Sequence, residues 1–418
     1  MSNTTLTADI IAKEAVMILE ANCVMGNLVY RGYEDDFNKK VNGYNVGEAV
    51  SIRRPADFTV RDGPVAAIQD VVEGSTTFTV DKQKGIDFKF TSQDLTLQIG
   101  DLAERVMKPA LIQIAHQVDV DVMALYKKVY NHVTLPSGGI DSWTDFALAP
   151  TLMDKIGVPQ SNRSAVLTPG DYWAFAGSST ALYINGVNKD AYREGSLGMV
   201  AGLDTYMSQN APIHTTGSRA AASDVIAAAF TGDTWAATKA TNTSTLNVGT
   251  LSGATVTLTA GDTFTIADCY DVHPVTKTAL AHLKQFVVQN NETASGSAVT
   301  SLEVSPAIIP SGAQATVAFA SGVTDLNGKA VTMRGAASTN FATNLFFHKN
   351  AFGLAMVPMV SPPGATDVGR RSYKGYSVRV IPYYDGTNDA SNWRLDVLYG
   401  TKCIDPRLAV RASLAADI

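Results

Sequence analysis

Six short segments decide the fold predicted for the middle of the chain: Ala254–Leu258 (ATVTL), Thr263–Ile266 (TFTI), Gln285–Val288 (QFVV), Leu302–Val304 (LEV), Thr316–Phe319 (TVAF) and Val331–Arg334 (VTMR). Each is rich in β-forming residues, and turn-forming residues separate them. Short strands at such spacing are typical of a small antiparallel barrel. The Thr-, Ala-, Ser- and Gly-rich composition from about residue 231 to 334 lies between two parts of α/β type, which indicates an inserted domain.

Helix and strand patterns flank this middle region. Trp143–Ile156 has helical spacing, Ala165–Leu167 is a short buried strand, and Pro169 stands at a favoured first-turn position of another helix. Beyond the barrel, Ser377–Ile381 and Trp393–Tyr399 read as strands. The chain is therefore predicted to be α+β, with an α/β part interrupted by the barrel.

A long two-stranded excursion is predicted over residues 48–90. Apolar residues occupy every second position in the runs Val50–Ile52, Phe78–Val80 and Ile86–Phe90. Asp81–Gly85 lies between the last two runs and predicts a turn with glycine at its end. Because a lone hairpin is marginal in water, this one either packs on a sheet of its own domain or lies over the next subunit.

Two helices are predicted in the first third of the chain. Residues 6–22 have apolar side chains at helical spacing, and this helix either packs on its own domain or forms an arm on a neighbour. The longest helix is predicted over residues 101–131, with a kink at Pro109. Asp119 and Asp121 would point in different directions on it, so we expect solvated carboxylates and not a metal site.

Composition and charge indicate a globular protein of about two or three domains. The chain has 418 residues, of which 45% are hydrophobic and 17% charged, and its formal net charge is −6. Tight nucleic-acid binding without sequence preference requires a basic surface, which an acidic chain does not favour. Cys23, Cys269 and Cys403 are far apart, which excludes a disulfide framework and fits a reducing compartment.

The N-terminus does not have the pattern of a signal peptide. Lys13, Glu14 and Glu20 interrupt its apolar residues, and no basic start precedes an apolar run. No stretch approaches the length that is required to cross a bilayer. We therefore expect a protein that is made in the cytosol and has no membrane partner.

Motifs that carry catalysis are missing from the sequence. It contains no Gly-rich nucleotide-binding loop, no GxSxG and no HExxH. His273 and His282 are the two closest histidines, and Pro274 between them breaks any shared helical face. We therefore expect no enzymatic turnover, no catalytic residue, no cofactor and no metal.

Several stretches resemble the major coat proteins of the short-tailed Salmonella phage type. These are DAYREG (190–195) followed by VAGLD (200–204), GD (261–262), VHPVTKT (272–278), QFVV (285–288), TSLEVSP (300–306), and LDVLYG (395–400) with Pro406. The first pair resembles the end of the first half of the family's apical domain. The next four resemble its inserted domain, and the last resembles its C-terminal strand and the following turn.

The resemblance implies the Hong Kong 97-type capsid fold with an inserted antiparallel β-barrel domain. The parts of that fold map onto the chain as an N-terminal arm (1–47), an extended hairpin loop (48–91), a peripheral domain with a long spine helix (92–135), the first part of an apical α/β domain (136–222), the inserted barrel (223–340) and the completion of the apical and peripheral domains (341–418).

The same resemblance implies a major capsid protein of a tailed double-stranded DNA bacteriophage. Such a chain self-assembles into pentamers and hexamers of an icosahedral shell, which closes because each subunit makes many weak contacts. The implied partners are further copies of the chain, a separate scaffolding protein and a portal, and DNA is enclosed without sequence-specific binding. The implied location is the virion capsid, after synthesis and assembly in the host bacterial cytoplasm.

Subunit contacts are expected on the extended loop, at Arg53, Arg54, Phe58, Arg61, Phe78, Lys82, Lys84 and Phe88. The hinge candidates are Pro109, Gly138 and Gly139. Lys82 and Lys84 lie at the predicted loop tip, where some shells of this fold join a lysine covalently to a neighbour's asparagine. A tip lysine is more often a solvated charge. Shells should therefore dissolve in hot detergent to single chains of 44.3 kDa, without a ladder of covalent multimers on a denaturing gel.

Two other functions compete with this interpretation. A cellular nanocompartment shell of the same fold would enclose an enzyme cargo. A secreted β-rich adhesin or carbohydrate-binding module would suit the Thr- and Ser-rich middle, but neither the N-terminus nor the long helix favours it. Electron microscopy distinguishes these cases by shells with DNA, shells with protein cargo, or no shells.

Overall fold

The computed structural model describes residues 8–38, 40–41, 44–45, 48–54, 56–61, 63–65, 68–91, 108–136, 138–179, 195, 197–219, 224–364 and 368–414. The chain divides into two compact units. The first comprises Met1–Ser51, Thr77–Met123 and Phe352–Lys402, and the second comprises Ile52–Thr76, Ala124–Ala351 and Cys403–Ile418. The predicted helix start at Asp101 and the coat-like stretch 190–194 lie outside the described residues.

The first unit combines helices with an antiparallel sheet. Its helices are α1 (Ala8–Asn22), α2 (Met25–Leu28), α3 (Glu34–Asn38) and α4 (Lys108–Met123). Its strands are β1 (Lys40–Val41), β2 (Tyr44–Asn45), β5 (Lys82–Thr91), β22 (Phe352–Met356), β23 (Gly369–Tyr373), β24 (Tyr376–Asp385) and β25 (Ala390–Cys403). The hairpin strands β3 (Ala49–Arg54) and β4 (Gly74–Thr79) contribute residues to both units.

The N-terminal helix packs on its own unit. One face of α1 lies against β23, β24 and α4, and Ile11, Val16 and Leu19 on that face are buried. The sheet beneath it has the order β22-β25-β24-β23, and β5 pairs with β25. The predicted helix at residues 6–22 and the two predicted C-terminal strands are confirmed, and both strands are longer than predicted.

Asp119 on α4 is buried, so the expectation of a solvated carboxylate is wrong for this residue. Its two oxygens accept hydrogen bonds from the backbone N–H groups of Val24 (2.7 Å) and Gly26 (3.2 Å). These N–H groups belong to the start of α2, where a helix has no internal acceptors for them. Asp119 therefore fixes the turn between α1 and α2 to α4.

The long helix is shorter than predicted at its C-terminal end. The helix α4 ends at Met123, and a 3-10 helix follows over Ala124–Lys128. Further on, the side chain of Asn131 donates to the carbonyl of Ala409 (2.9 Å). Tertiary hydrogen bonds of this kind within the second unit replace the helical ladder that the apolar spacing favoured.

The second unit contains an α/β part built on a mixed sheet. Its strands are β6 (His132–Thr134), β7 (Arg163–Leu167), β8 (Met199–Val200), β9 (Leu203–Met207), β21 (Asn344–His348) and β26 (Ala409–Ser413), in the order β6-β26-β21-β7-β9-β8. The helices α5 (Trp143–Lys155) and α6 (Pro169–Ser179) pack with it, as predicted. Phe146 of α5 stacks on Phe175 of α6 with 4.8 Å between ring centroids. Two 3-10 helices, Lys349–Ala351 and Pro406–Leu408, complete this part.

An antiparallel barrel is inserted into this α/β part. Its strands are β11 (Val225–Ile226), β12 (Ser244–Gly249), β14 (Thr263–Val272), β15 (Ala279–Val288), β17 (Val299–Ser305), β18 (Val317–Phe319) and β19 (Val331–Met333), in the order β11-β12-β17-β15-β14-β18 with β19 also on β14. A bridge between Val225 and Ala330 closes the sheet on itself. A helical turn, α7 (Trp235–Thr238), and the small ribbon of β13 (Thr257–Leu258) with β16 (Glu292–Thr293) lie beside it. Five of the six predicted strands are confirmed as barrel strands, whereas Ala254–Leu258 is a strand only at Thr257–Leu258 and belongs to the small ribbon. The barrel strands β11 and β12 were missed.

A two-stranded ribbon connects the barrel with the α/β sheet, and we call it the neck. It consists of β10 (Ile213–Thr215) and β20 (Asn340–Ala342), which run antiparallel with Thr215 opposite Asn340. The chain therefore enters and leaves the insertion at adjacent positions.

The inserted domain is expected to fold by itself. Its core is a cluster of buried apolar residues that includes Phe264, Phe286 and Leu302, all drawn from the barrel. A fragment of residues 223–340 should show a β-type circular dichroism spectrum and one cooperative thermal transition. A spectrum of disordered chain would contradict this prediction.

Candidate functional site

The hairpin of β3 and β4 carries a long connection that belongs to neither helix nor strand. The two strands pair, and the N–H of Val80 donates to the carbonyl of Glu48 (2.9 Å) at their base. Between Arg54 and Gly74 the described residues are irregular. We call residues 56–73 the extended loop.

The turn predicted at Asp81–Gly85 is wrong, because Lys82–Thr91 is one continuous strand along β25. Gly85 pairs with Asp396 there, and a Cβ atom at this position would lie 2.6 Å from the carbonyl oxygen of Leu395. The glycine thus permits close approach of the neighbouring strand, and it does not form a turn.

Lys82 and Lys84 consequently do not lie at a loop tip. The ammonium group of Lys82 lies 3.0 Å from the hydroxyl of Thr401 and 3.5 Å from a carboxylate oxygen of Asp121, and Lys84 lies opposite Val397. The geometry that motivated the idea of a cross-linking lysine is therefore absent from the first unit as described.

Two other predicted contact residues also lie in the first unit. Phe78 is fully buried, with its ring 5.9 Å from that of Tyr33 and 5.8 Å from that of Phe37. Phe88 is half-buried in β5, opposite Trp393. Phe78 thus stabilises the root of the hairpin and is not available to another subunit.

The extended loop exposes an unusual run of apolar side chains. Val60, Val65 and Ile68 are 87%, 80% and 94% exposed, and Phe58 and Val71 are more than half exposed. The hydrophobic effect disfavours so many exposed apolar side chains along one segment of an isolated soluble chain, and exposed apolar surface of this kind marks interaction sites. Of the predicted contact residues, Phe58 and Arg61 belong to this loop, while Arg53 and Arg54 precede it.

Internal hydrogen bonds hold the two limbs of the loop together. The side chain of Gln69 accepts from the backbone N–H of Thr59 (3.0 Å) and donates to its carbonyl (2.7 Å). The guanidinium of Arg61 donates to the carbonyls of Gly63 and Val65. The described residues of the loop are therefore joined by internal hydrogen bonds, while Phe58, Val60, Val65, Ile68 and Val71 are exposed to solvent.

The base of the loop is anchored on the barrel within the second unit. The indole N–H of Trp235 donates to the carbonyl of Val72 (2.7 Å). Lys277 forms an ion pair with Asp57 (3.0 Å), and Gln314 donates to the Asp57 carbonyl (3.0 Å). Sequence reasoning missed these anchors, because a tryptophan in a Thr- and Ala-rich segment does not reveal its partner.

A buried polar network occupies the region of the neck. The ring of His214 on β10 contacts Asp262 (2.9 Å) through Nε2 and the hydroxyl of Tyr126 (3.1 Å) through Nδ1. His132 lies between the hydroxyls of Thr263 (2.8 Å) and Ser413 (2.7 Å). These bonds satisfy polar groups of the barrel and of the α/β sheet at the same place.

Stability of the second unit should fall in mild acid because of His132. Its burial lowers the pKa well below the ordinary 6.5, and Arg411 and Arg334 act in the same direction. The unfolded chain therefore binds the proton more readily, so the stabilisation is complete above pH 6.5 and is lost as the pH falls below it. We expect a loss of up to about 1.4 kcal/mol per pH unit in the free energy of unfolding. Denaturant titrations at several pH values measure this free energy of unfolding. If it fell with pH as steeply in His132→Gln as in the wild type, the assignment to His132 would be contradicted.

The hinge candidates occupy different settings. Pro109 is the second residue of α4 and is exposed. Gly138 has a positive φ of 92° and is exposed, whereas a Cβ atom on Gly139 would meet the carboxylate of Asp171. Their role as hinges stays a prediction.

The described part of the chain contains three cysteines and no cluster of candidate metal ligands. The described residues contain no group of three or more His, Cys, Asp or Glu side chains that could hold a metal ion. Cys23, Cys269 and Cys403 are buried thiols outside any disulfide, and burial raises the pKa of Cys269 to about 12. None of the described helices is long and apolar enough to span a membrane.

Comparisons with known proteins identify a family for this chain. The family described as P22 coat protein, gene protein 5, matches residues 1–411. A protein named "Major capsid protein", from Acyrthosiphon pisum secondary endosymbiont phage 1, is 22% identical over 391 residues, which cover 87% of this chain and 88% of that protein. A solved structure from Mycobacterium phage Che8 matches with a TM-score of 0.50 at 15% identity, over 93% of this chain and 90% of that one. The capsid of Ralstonia phage GP4 gives 0.43 at 10% identity, over 93% and 87%.

Proposed function

The chain belongs to the P22 coat protein family and is a major capsid protein of a tailed phage with the Hong Kong 97-type fold, and from this premise we propose that its extended loop joins subunits into the pentamers and hexamers of an icosahedral shell. The exposure of the apolar side chains Phe58, Val60, Val65, Ile68 and Val71 in the loop supports this proposal. Such side chains leave water only when another surface covers them.

The anchored base of the loop suits contact with a second copy of the chain. The ion pair and hydrogen bonds at its base hold it in place before contact, so little conformational entropy is lost on assembly. Arg61 adds exposed positive charge beside these apolar residues, whereas the charge of Arg53 is paired with Glu73.

Other partners follow from the same role. We propose a separate scaffolding protein and a portal as assembly partners, and enclosure of DNA without sequence-specific contacts. The formal net charge of −6 agrees with a wall that surrounds DNA and does not bind it tightly. Synthesis and assembly in the cytoplasm of the host bacterium, and a role without enzymatic turnover, belong to this proposal.

Electron microscopy of particles purified from the producing host tests the function. We expect closed shells made of this chain that contain DNA. Shells filled with a protein cargo would indicate a nanocompartment, and a chain that remains monomeric while the virus matures would overturn the assignment.

A further inference from the structure

A cavity of about 120 Å³ lies within the second unit at the base of the extended loop. Its charged and polar walls include Arg54 at the end of β3, Asp57 of the loop, Lys277 and Lys284 of the barrel, and Arg407 in the C-terminal 3-10 helix. A cavity holds one water molecule once its volume reaches about 10–15 Å³ by the same measure, so this space admits a group of several heavy atoms.

The charges that line this cavity do not balance. Each of its three carboxylates forms an ion pair with a cationic side chain of the same cavity. The pairs are Asp57–Lys277 (3.0 Å), Asp271–Lys284 (2.8 Å) and Asp405–Arg407 (2.9 Å). Arg54 is the remaining cation, and no carboxylate of the described residues lies within 4.0 Å of its guanidinium. The walls therefore carry one positive charge in excess.

Arg54 differs in this respect from its neighbour in the sequence. The side chain of Arg53 is 82% exposed and lies 3.3 Å from Glu73, as is usual for a surface arginine. Arg54 is half-buried, and its burial lowers the pKa of the guanidinium. A desolvated guanidinium presents a planar fork of N–H donors that matches the two oxygens of a carboxylate or phosphate group.

We propose that this cavity binds one small oxyanion, a carboxylate or a phosphate group, through Arg54. Bound there, the anion neutralises the excess charge and joins the end of β3 to the barrel beside Asp57. The oxyanion comes either from solution or from an acidic side chain of another copy of the chain. The site would thus stabilise the base of the extended loop.

Binding to the unassembled full-length chain tests the site directly. Equilibrium dialysis with radiolabelled inorganic phosphate should give one ion per chain, in competition with acetate and at constant ionic strength in chloride. The midpoint of thermal unfolding should rise with the logarithm of the phosphate concentration. Arg54→Gln should abolish both effects, and Arg53→Gln should retain them. The proposal fails if wild type binds no phosphate beyond the chloride control, or if Arg54→Gln binds as well as wild type.

A second variant at Arg54 and a fluorescence measurement provide independent tests of the same site. If Arg54→Gln does not fold, Arg54→Lys retains the charge and loses the fork, so it should bind at least tenfold more weakly; unchanged binding would count against the site. Trp235 also lines the cavity, so phosphate should change its fluorescence, and Trp235→Phe should remove that change.

Repeating the dialysis on assembled shells distinguishes an oxyanion from solution from an acidic side chain of another copy. Shells that still bind phosphate identify a solution ion. Shells that exclude phosphate, while the free chain binds it, identify an acidic side chain of a neighbouring copy. Because the free-chain measurement needs no shell, it stands even if the proposed contacts of the extended loop are wrong.

Discussion

The triple variant Val60→Asp, Val65→Asp, Ile68→Asp should not assemble into shells, and it should remain a soluble, folded subunit. In the free chain Val60, Val65 and Ile68 are almost entirely exposed, so the change removes little from the folded state. Surface substitutions of this kind alter the free energy of unfolding by about 0.5 kcal/mol or less each. In the proposed interface, the same change buries three unpaired charges per subunit at a cost of several kcal/mol, which exceeds the gain from weak contacts.

Size-exclusion chromatography and electron microscopy measure the outcome, and the thermal unfolding midpoint verifies the fold. Leucine at the same three positions is the matched control, since it preserves the apolar surface and should still give shells. Normal shells from the aspartate variant would show that the loop surface is not a subunit contact.

Loss of the Asp262 carboxylate should cause the largest fall in stability within the second unit. This side chain is fully buried and accepts hydrogen bonds from His214 (2.9 Å), from the N–H of Thr259 (2.8 Å) and from the N–H of Gly217 (3.2 Å). Alanine leaves the buried donors of His214 and Gly217, and the partly buried N–H of Thr259, without this acceptor. We expect the free energy of unfolding to fall by about 3–5 kcal/mol.

Denaturant unfolding followed by circular dichroism measures this loss. Tyr126→Phe removes only the hydroxyl on the other side of His214, and it should cost about 1 kcal/mol. A loss below about 1 kcal/mol for Asp262→Ala would mean that the network does not hold the neck.

Local patterns predicted the barrel and the two helices of the α/β part, because alternation, turn residues and helical spacing are short-range signals. These local patterns could not predict features whose partner residues lie far away along the chain. Gly85 was interpreted as a turn residue, although the strand opposite it is about 310 positions away along the chain. Asp119 was interpreted as solvated because no local pattern reveals that the start of α2 supplies its hydrogen bonds.

The proposed contact surface was predicted only in part. The resemblance to coat proteins implied an extended loop, but the alternation around Phe78 and Phe88 placed its tip too far along the chain. Val60, Val65 and Ile68 follow no periodic pattern, and their exposure is evident only once the loop is seen outside the sheets. A long stretch without helix or strand pattern between two paired strands is the signal that could have located it.

The neck has a consequence for how this coat protein evolves and for how it could be engineered. Thr215 and Asn340 face each other, so removal of the barrel would leave two adjacent chain ends that a short turn could join. The DNA that encodes the barrel is therefore a single continuous segment that could be lost or replaced as a whole. Related phages could exchange such a segment by one recombination event, and a foreign folded domain with adjacent termini could be displayed in its place. Tyr126 and His132, which face the barrel, would be the first residues to adapt.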